Sequence, residues 1–206
     1  MHAGACRLEL TMAECNGTRM EEKIKTFSGF GDTGKGGITR FSLSAEALEA
    51  RLEFQKRMEA IGANVVCDDM ANLYATIPGS MELPAIAAGS HLDSVKQGGN
   101  YDGILGVLTA MEVLETIVKE KIPHRHPITA VVWTNEEGAR FEPAMMSSGV
   151  ITGKFSKETM LLSEAKDIPG YTFGDALRES GFAGESKYRM KASDYAGFLE
   201  LHIEQG

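Results

Sequence analysis

Short apolar segments of strand length alternate in this chain with longer segments whose apolar residues recur every three or four positions. The short segments are rich in small, β-branched or aromatic residues, which favours strands. They cover residues 63–67, 72–77, 84–88, 128–133 and 198–203. Strands that alternate with helices are typical of an α/β layer fold, with a sheet covered by helices.

Two longer segments predict amphipathic helices. In the first, Ser44 is placed to cap the helix, Gly62 ends it, and one face carries Ala47, Ala50, Phe54, Met58 and Ile61. In the second, the apolar face carries Ile104, Val107, Leu108, Met111, Leu114 and Val118. The residues before Met20 show neither strong periodicity nor a cap signal. We therefore expect residues 1–20 to be a tail without an assigned function.

Composition excludes several classes of function. Among 206 residues, 21 Lys and Arg stand against 29 Asp and Glu, which gives a net charge of −8, and no dense basic run occurs. A nucleic-acid partner is therefore not expected. The apolar runs are strand-sized, so we expect no membrane partner. The three cysteines are odd in number and lack metal-site spacing, which favours a reducing, cytoplasmic location.

Histidine and acidic residues cluster at the ends of predicted strands or in the loops that follow them. They are His91, Asp93, Asp102, Glu136, Glu137 and His202. Open α/β sheets bind their ligands at the carboxyl ends of the strands. These residues are therefore the candidates for chemistry.

Two of the groups have local spacing that suggests a metal site. His91 and Asp93 are two residues apart, so the carboxylate is placed to accept one imidazole N–H while the other nitrogen binds a metal. Glu136 and Glu137 are adjacent, and their mutual repulsion favours a nearby cation. One of the two would bind metal while the other moves a proton.

The remaining two groups are ambiguous when taken alone. Asp102 could be the N-cap of the second helix, and a histidine in an apolar strand such as His202 is more often a satisfied core residue. Together, four strand-end groups supply the nitrogen and oxygen ligands expected for zinc or a similar divalent ion.

The loop 29–35 nearly matches a phosphate-binding loop, but Gly36 stands where that loop requires Ser or Thr to hold Mg²⁺. We therefore do not expect a nucleotide hydrolase.

Four longer stretches resemble the M20 family of metal-dependent hydrolases, in particular its branch of N-carbamoyl-L-amino-acid hydrolases, allantoate amidohydrolases and β-ureidopropionase-like enzymes. These stretches are GGITRFSLS (36–44), GSHLDSVKQGGNYDGILGVL (89–108), TNEEGARFEPAMMSSGV (134–150) and LHIEQG (201–206). The resemblance runs from about Gly36 to the last residue. It implies a zinc-exopeptidase-like catalytic domain, with a mixed sheet flanked by helices.

The resemblance also implies roles for individual residues. His91 and His202 would bind one metal ion, Asp102 would bridge two ions, and Glu137 would bind the second ion. The ions would be Zn or Mn, with Co or Ni as alternatives. Glu136 would be the general base, Asp93 would orient His91, and Gln205 would contact a small carbamoyl or ureido substrate.

The family pattern extends beyond this sequence. Members of the family carry a lid and dimerisation domain after HIEQG and then a returning catalytic segment with a last histidine ligand and a substrate-binding arginine. Residues 21–206 would therefore be the first catalytic segment, truncated before the lid, and the family's homodimer would need the absent lid. Two other hypotheses remain: an inactive metal-binding remnant of the fold, or an M20 aminoacylase or peptidase.

Overall fold

The computed structural model describes residues 13–203, and within this range it has six α-helices and five strands. The helices are α1 (Gly17–Gly29), α2 (Ala45–Ala60), α3 (Ile104–Lys119), α4 (Met146–Ile151), α5 (Lys157–Leu161) and α6 (Phe173–Glu179). The strands are β1 (Asn64–Cys67), β2 (Leu73–Ile77), β3 (Ala85–His91), β4 (Ile128–Trp133) and β5 (Tyr195–Leu199). Two short 3₁₀ turns, Ser186–Tyr188 and Ala192–Asp194, precede β5.

The five strands form one mixed sheet in the order β1-β2-β4-β3-β5. Strands β3, β4 and β5 run parallel, whereas β1 and β2 are antiparallel to their neighbours. Helix α3 connects β3 to its parallel neighbour β4 and packs against both. The predicted α/β fold with a mixed sheet and flanking helices is confirmed.

Both helices predicted from periodicity are confirmed. The Ser44 hydroxyl accepts the Ala47 N–H at the start of α2, and α2 buries Ala47, Ala50, Phe54 and Met58. Helix α3 buries the predicted face from Ile104 to Leu114. These faces meet the sheet in one large apolar core, which holds the ends of the central strands in fixed positions.

The last predicted strand is misplaced. β5 ends at Leu199, so the prediction that His202 lies within a strand is wrong. β5 is at the edge of the sheet, and its pairing with β3 stops at Ala88 and Leu199. Beyond that pair the chain leaves the sheet, and the Ser90 hydroxyl donates a hydrogen bond of 2.5 Å to the Glu200 carboxylate.

The prediction that no cap signal precedes Met20 is also wrong. The Asn16 side chain accepts the Arg19 N–H and caps α1. Lys23, which is 1% exposed, donates to Glu112 of α3 at 2.7 Å. Helix α1 is therefore fixed by charges on an element far along the chain, which local periodicity does not reveal. None of the helices within residues 13–203 is long and apolar enough to cross a bilayer.

Candidate metal centre

The parallel register of the sheet brings the predicted ligands to one edge. His91, the last residue of β3, pairs with Trp133, the last residue of β4, and Glu136 follows three residues later. Ala88 of β3 pairs with Leu199 of β5, so His91 and His202 each lie three residues beyond that pair. The two histidines and the glutamate loop therefore meet at the carboxyl end of the sheet.

Three predicted ligands form a compact group at this edge. The Oδ1 atom of Asp102 lies 3.5 Å from Nε2 of His91 and 3.3 Å from Nε2 of His202, and the two Nε2 atoms are 3.5 Å apart. Ligands about 2.0–2.1 Å from a tetrahedral ion are separated from one another by roughly 3.3 Å. The three atoms thus have the spacing of ligands that share one small cation.

The alternative interpretation of Asp102 as a helix cap is wrong. Gly103 occupies the N-cap position of α3, and no side chain among residues 13–203 caps this helix. Gly103 has φ +65°, and a Cβ atom there would lie 2.3 Å from the His91 ring. The helix start therefore approaches His91 closely only because residue 103 is glycine, and this approach brings Asp102 to both histidines.

Asp93 holds the site differently from the prediction. The His91 Nδ1–H donates to the main-chain carbonyl of Asp93 at 2.9 Å, whereas the Asp93 carboxylate is 3.9 Å away. A carbonyl only accepts, so Nδ1 carries the proton and Nε2 is the nitrogen available to a metal. The Asp93 carboxylate instead accepts the N–H of Glu136 at 3.3 Å and that of Glu137 at 3.2 Å.

The Glu136-Glu137 pair lies on a sharp turn after β4. Asn135 adopts a left-handed conformation, φ +55°, and its side-chain amide donates to the Phe141 carbonyl at 2.7 Å. Asn tolerates this conformation better than most residues. The turn places Oε2 of Glu136 3.4 Å from Nε2 of His91. Glu137 is not one of the three compact ligands, but its Oε1 is buried without a hydrogen-bond partner among residues 13–203.

The carboxylates crowd negative charge into a partly buried space. Burial raises the pKa of Glu137 to about 7, with Asp102, Asp93 and Glu136 adding to the rise and His91 opposing it. Burial alone lowers the pKa of His91, but the Asp102 hydrogen bond and the charges of Asp93 and Glu136 outweigh it and raise that pKa to about 9. A divalent cation would offset this negative charge.

The donor set and the orphaned oxygen of Glu137 fit a divalent cation. Gln205, the predicted substrate contact, lies outside the described residues. Sequence reasoning missed Gly103, Asn135, and the Ser90–Glu200 hydrogen bond that holds the His202 segment. The Asp-Gly pair was a usable signal for a residue with positive φ, whereas the other two depend on contacts between distant elements.

Comparison with known proteins gives concordant matches. A family model described as Peptidase family M28 matches residues 72–157. An N-carbamoyl-L-amino-acid amidohydrolase of Rhizobium meliloti is 36% identical, with 93% of this chain and 45% of that protein covered. An allantoate amidohydrolase of Bacillus subtilis is 35% identical, with 89% and 44% covered. The chain thus spans about half the length of the curated relatives it matches.

A solved structure agrees with these relatives. The amidase of the hydantoinase/carbamoylase family from Burkholderia vietnamiensis has a TM-score of 0.89 and 36% identity to this chain, with 95% of this chain and 47% of that one covered. Its likeness extends over almost the whole described fold. By sequence and by fold, the chain is a homologue of the N-carbamoyl-L-amino-acid and allantoate amidohydrolases and of the hydantoinase/carbamoylase amidases over about half of their length, as its motifs indicate.

Proposed function

We propose that this protein hydrolyses linear amide or amidine C–N bonds in small carbamoyl or ureido compounds, such as N-carbamoyl-L-amino acids or allantoate. The observation that carries the proposal is the compact group of His91, Asp102 and His202, with the Glu136 carboxylate beside it. The relatives named as amidohydrolases of such compounds support the choice of substrate class.

Two divalent ions, Zn or Mn, are the proposed cofactors, with Co or Ni as alternatives. His91, His202 and Asp102 would hold the first ion, and Asp102 with Glu137 would hold the second. The buried Oε1 of Glu137, which has no hydrogen-bond partner among residues 13–203, supports the second position. Bound divalent cations supply Lewis-acid polarisation of a carbonyl and make water more acidic.

Glu136 is the proposed general base. Its carboxylate lies next to the ligand group, and burial raises its pKa, with Asp93 and Asp102 adding to the rise and the two histidines opposing it. A raised pKa suits a carboxylate that takes a proton from water and delivers it to the leaving nitrogen. Asp93 would keep Glu136 in place through its N–H.

Several features of the whole protein remain predictions. A contact between Gln205 and substrate, a homodimer formed through a lid domain, and a cytoplasmic location are among them. Cys15 and Cys67, both free, are consistent with a reducing compartment. The assignment of residues 21–206 to the first segment of a larger catalytic domain is likewise a prediction.

The experiment measures metal content and ammonia release from N-carbamoyl-L-amino acids and allantoate, using the protein expressed from its own gene. We expect Glu136→Gln to lower kcat by about 10²–10⁴-fold while bound metal is retained. Glu142→Gln is the matched control, because it makes the same change in the same loop on a side chain that is 73% exposed. Retained activity in Glu136→Gln would contradict the assigned base.

The second candidate is peptide or acylamino-acid hydrolysis, favoured by the match to Peptidase family M28 over residues 72–157. Parallel assays with dipeptides and N-acetyl-amino acids separate the two. Faster cleavage of these substrates than of carbamoyl compounds would select the second candidate. A protein that is metal-free and inactive on both classes would instead support the hypothesis of an inactive remnant.

A further inference from the structure

Arg40 is a fully buried arginine between α1 and the segment that follows β3. Within residues 13–203 its guanidinium donates hydrogen bonds only to main-chain carbonyls, those of Phe27, Phe30 and Leu92. Its Nη2 atom has no hydrogen-bond partner in the same range. Burying a cation without a paired carboxylate costs free energy. Such a residue needs a compensating role.

One side of Arg40 is attached to the end of α1. Nη1 donates to the Phe27 carbonyl at 2.8 Å and to the Phe30 carbonyl at 3.0 Å. Carbonyls at a helix C-terminus lack intrahelical partners and carry partial negative charge, so they suit a cation. Helix α1 is itself held to α3 by Lys23, which donates to Glu112 and to Glu115. This side of Arg40 is therefore a fixed support.

The other side of Arg40 holds segment 92–94, which follows His91 and contains Asp93. Nε donates to the Leu92 carbonyl, and Leu92 lies between His91 and Asp93. The Arg40 N–H donates to the Ser94 hydroxyl at 2.9 Å, and the Ser94 N–H donates to the Arg40 carbonyl at 2.9 Å. Hydrogen bonds between Arg40 and the residues Leu92 and Ser94 thus fix the chain on both sides of Asp93.

We propose that Arg40 is a positioning residue of the metal centre, which fixes segment 92–94 against α1 and so sets the distances from His91 to the other ligands. The proposal rests on the proposed metal function. Metal sites require ligand distances within about 0.2 Å, so support at this point affects affinity. Arg40 acts on the site through its hydrogen bonds to Leu92 and Ser94.

The test measures Co²⁺ affinity by titration of the absorption spectrum, with the full 206-residue chain. Arg40→Lys keeps the charge but loses the forked geometry, and Arg40→Met removes both. Ser94→Ala removes the acceptor of the Arg40 N–H, together with a hydrogen bond from the Ser94 hydroxyl to the Val95 carbonyl, and leaves the guanidinium contacts in place. It serves as a milder variant should the other two fail to fold. Met58→Ala is the control, because Met58 is 1% exposed in the core at the end of α2 and its loss destabilises the fold away from the site.

We expect both Arg40 variants to bind Co²⁺ about ten to a hundredfold more weakly than wild type. A loss of this size is usual when a residue that orients the metal ligands is removed. Ser94→Ala should lose less Co²⁺ affinity than the Arg40 variants. Met58→Ala should bind Co²⁺ with an affinity within about twofold of wild type, at a temperature where all variants are folded, which is a small change beside a ten to hundredfold loss. Wild-type affinity in the Arg40 variants, or in Ser94→Ala if only that variant folds, would overturn the positioning role while leaving the metal centre intact. A wild-type chain that binds no Co²⁺ would overturn the metal centre and the positioning role together.

Discussion

Replacing Gly103 with alanine tests how closely α3 must approach the ligand group. The added Cβ would lie 2.3 Å from the His91 ring, and ordinary contact begins near 3.4 Å. To remove this clash, His91 or the start of α3 must move by about 1 Å. Distances between a metal ion and its ligands tolerate a change of only roughly 0.2 Å. Positive φ adds about 1–2 kcal/mol of backbone strain for a residue other than glycine.

The matched control is Gly62→Ala. Gly62 has φ +84°, and no atom of the described part of the chain lies within 4 Å of the position that a Cβ would take, so alanine there is strained without a clash. We expect each variant to lower Tm by about 2–8 °C from backbone strain alone. Gly103→Ala should also weaken Zn²⁺ binding by at least about tenfold in isothermal titration calorimetry, whereas Gly62→Ala should leave the affinity unchanged. Wild-type affinity in Gly103→Ala would refute the close approach of helix and ligand.

Two further predictions concern the supports of the site. Burial alone raises the pKa of Glu112, but hydrogen bonds from Arg19 and Lys23 outweigh it and lower that pKa to about 2. This carboxylate therefore contributes about 3 kcal/mol to the free energy of unfolding. The contribution is complete above the pKa of the unfolded chain, near 4.5, and is lost as pH falls toward 2. Urea unfolding from pH 6 to pH 2.5 should show this loss in wild type and not in Glu112→Gln, and equal pH dependence of the two proteins would contradict the prediction. Asp93→Asn removes one acceptor for the N–H groups of Glu136 and Glu137, so Co²⁺ affinity should fall about ten to a hundredfold, and an unchanged Co²⁺ spectrum and affinity would contradict the assigned contact.

Local sequence patterns predicted the elements that carry strong periodicity. The α3 face beginning at Ile104 and the cap at Ser44 were both found as expected, because a helix with one apolar side has few other ways to bury it. Helix α1 was missed although it buries Phe27 in the main core, and its second anchor, the charge cluster with α3, joins residues too far apart in the chain for a local pattern to show. The strand containing His202 was misplaced because apolar content does not mark where pairing with β3 stops.

The sequence by itself determined the fold class and favoured a cation site, since histidines and carboxylates clustered near strand ends are the residue types that bind divalent ions. Only the tertiary structure decided which atoms meet. The parallel register of β3 and β5 brings His91 and His202 to the same level, and Gly103 lets Asp102 approach both. The tertiary structure also showed that Asp93 holds the glutamate turn through its carboxylate and His91 through its carbonyl. Such contacts join residues far apart in the chain, so their geometry depends on packing that no local pattern records.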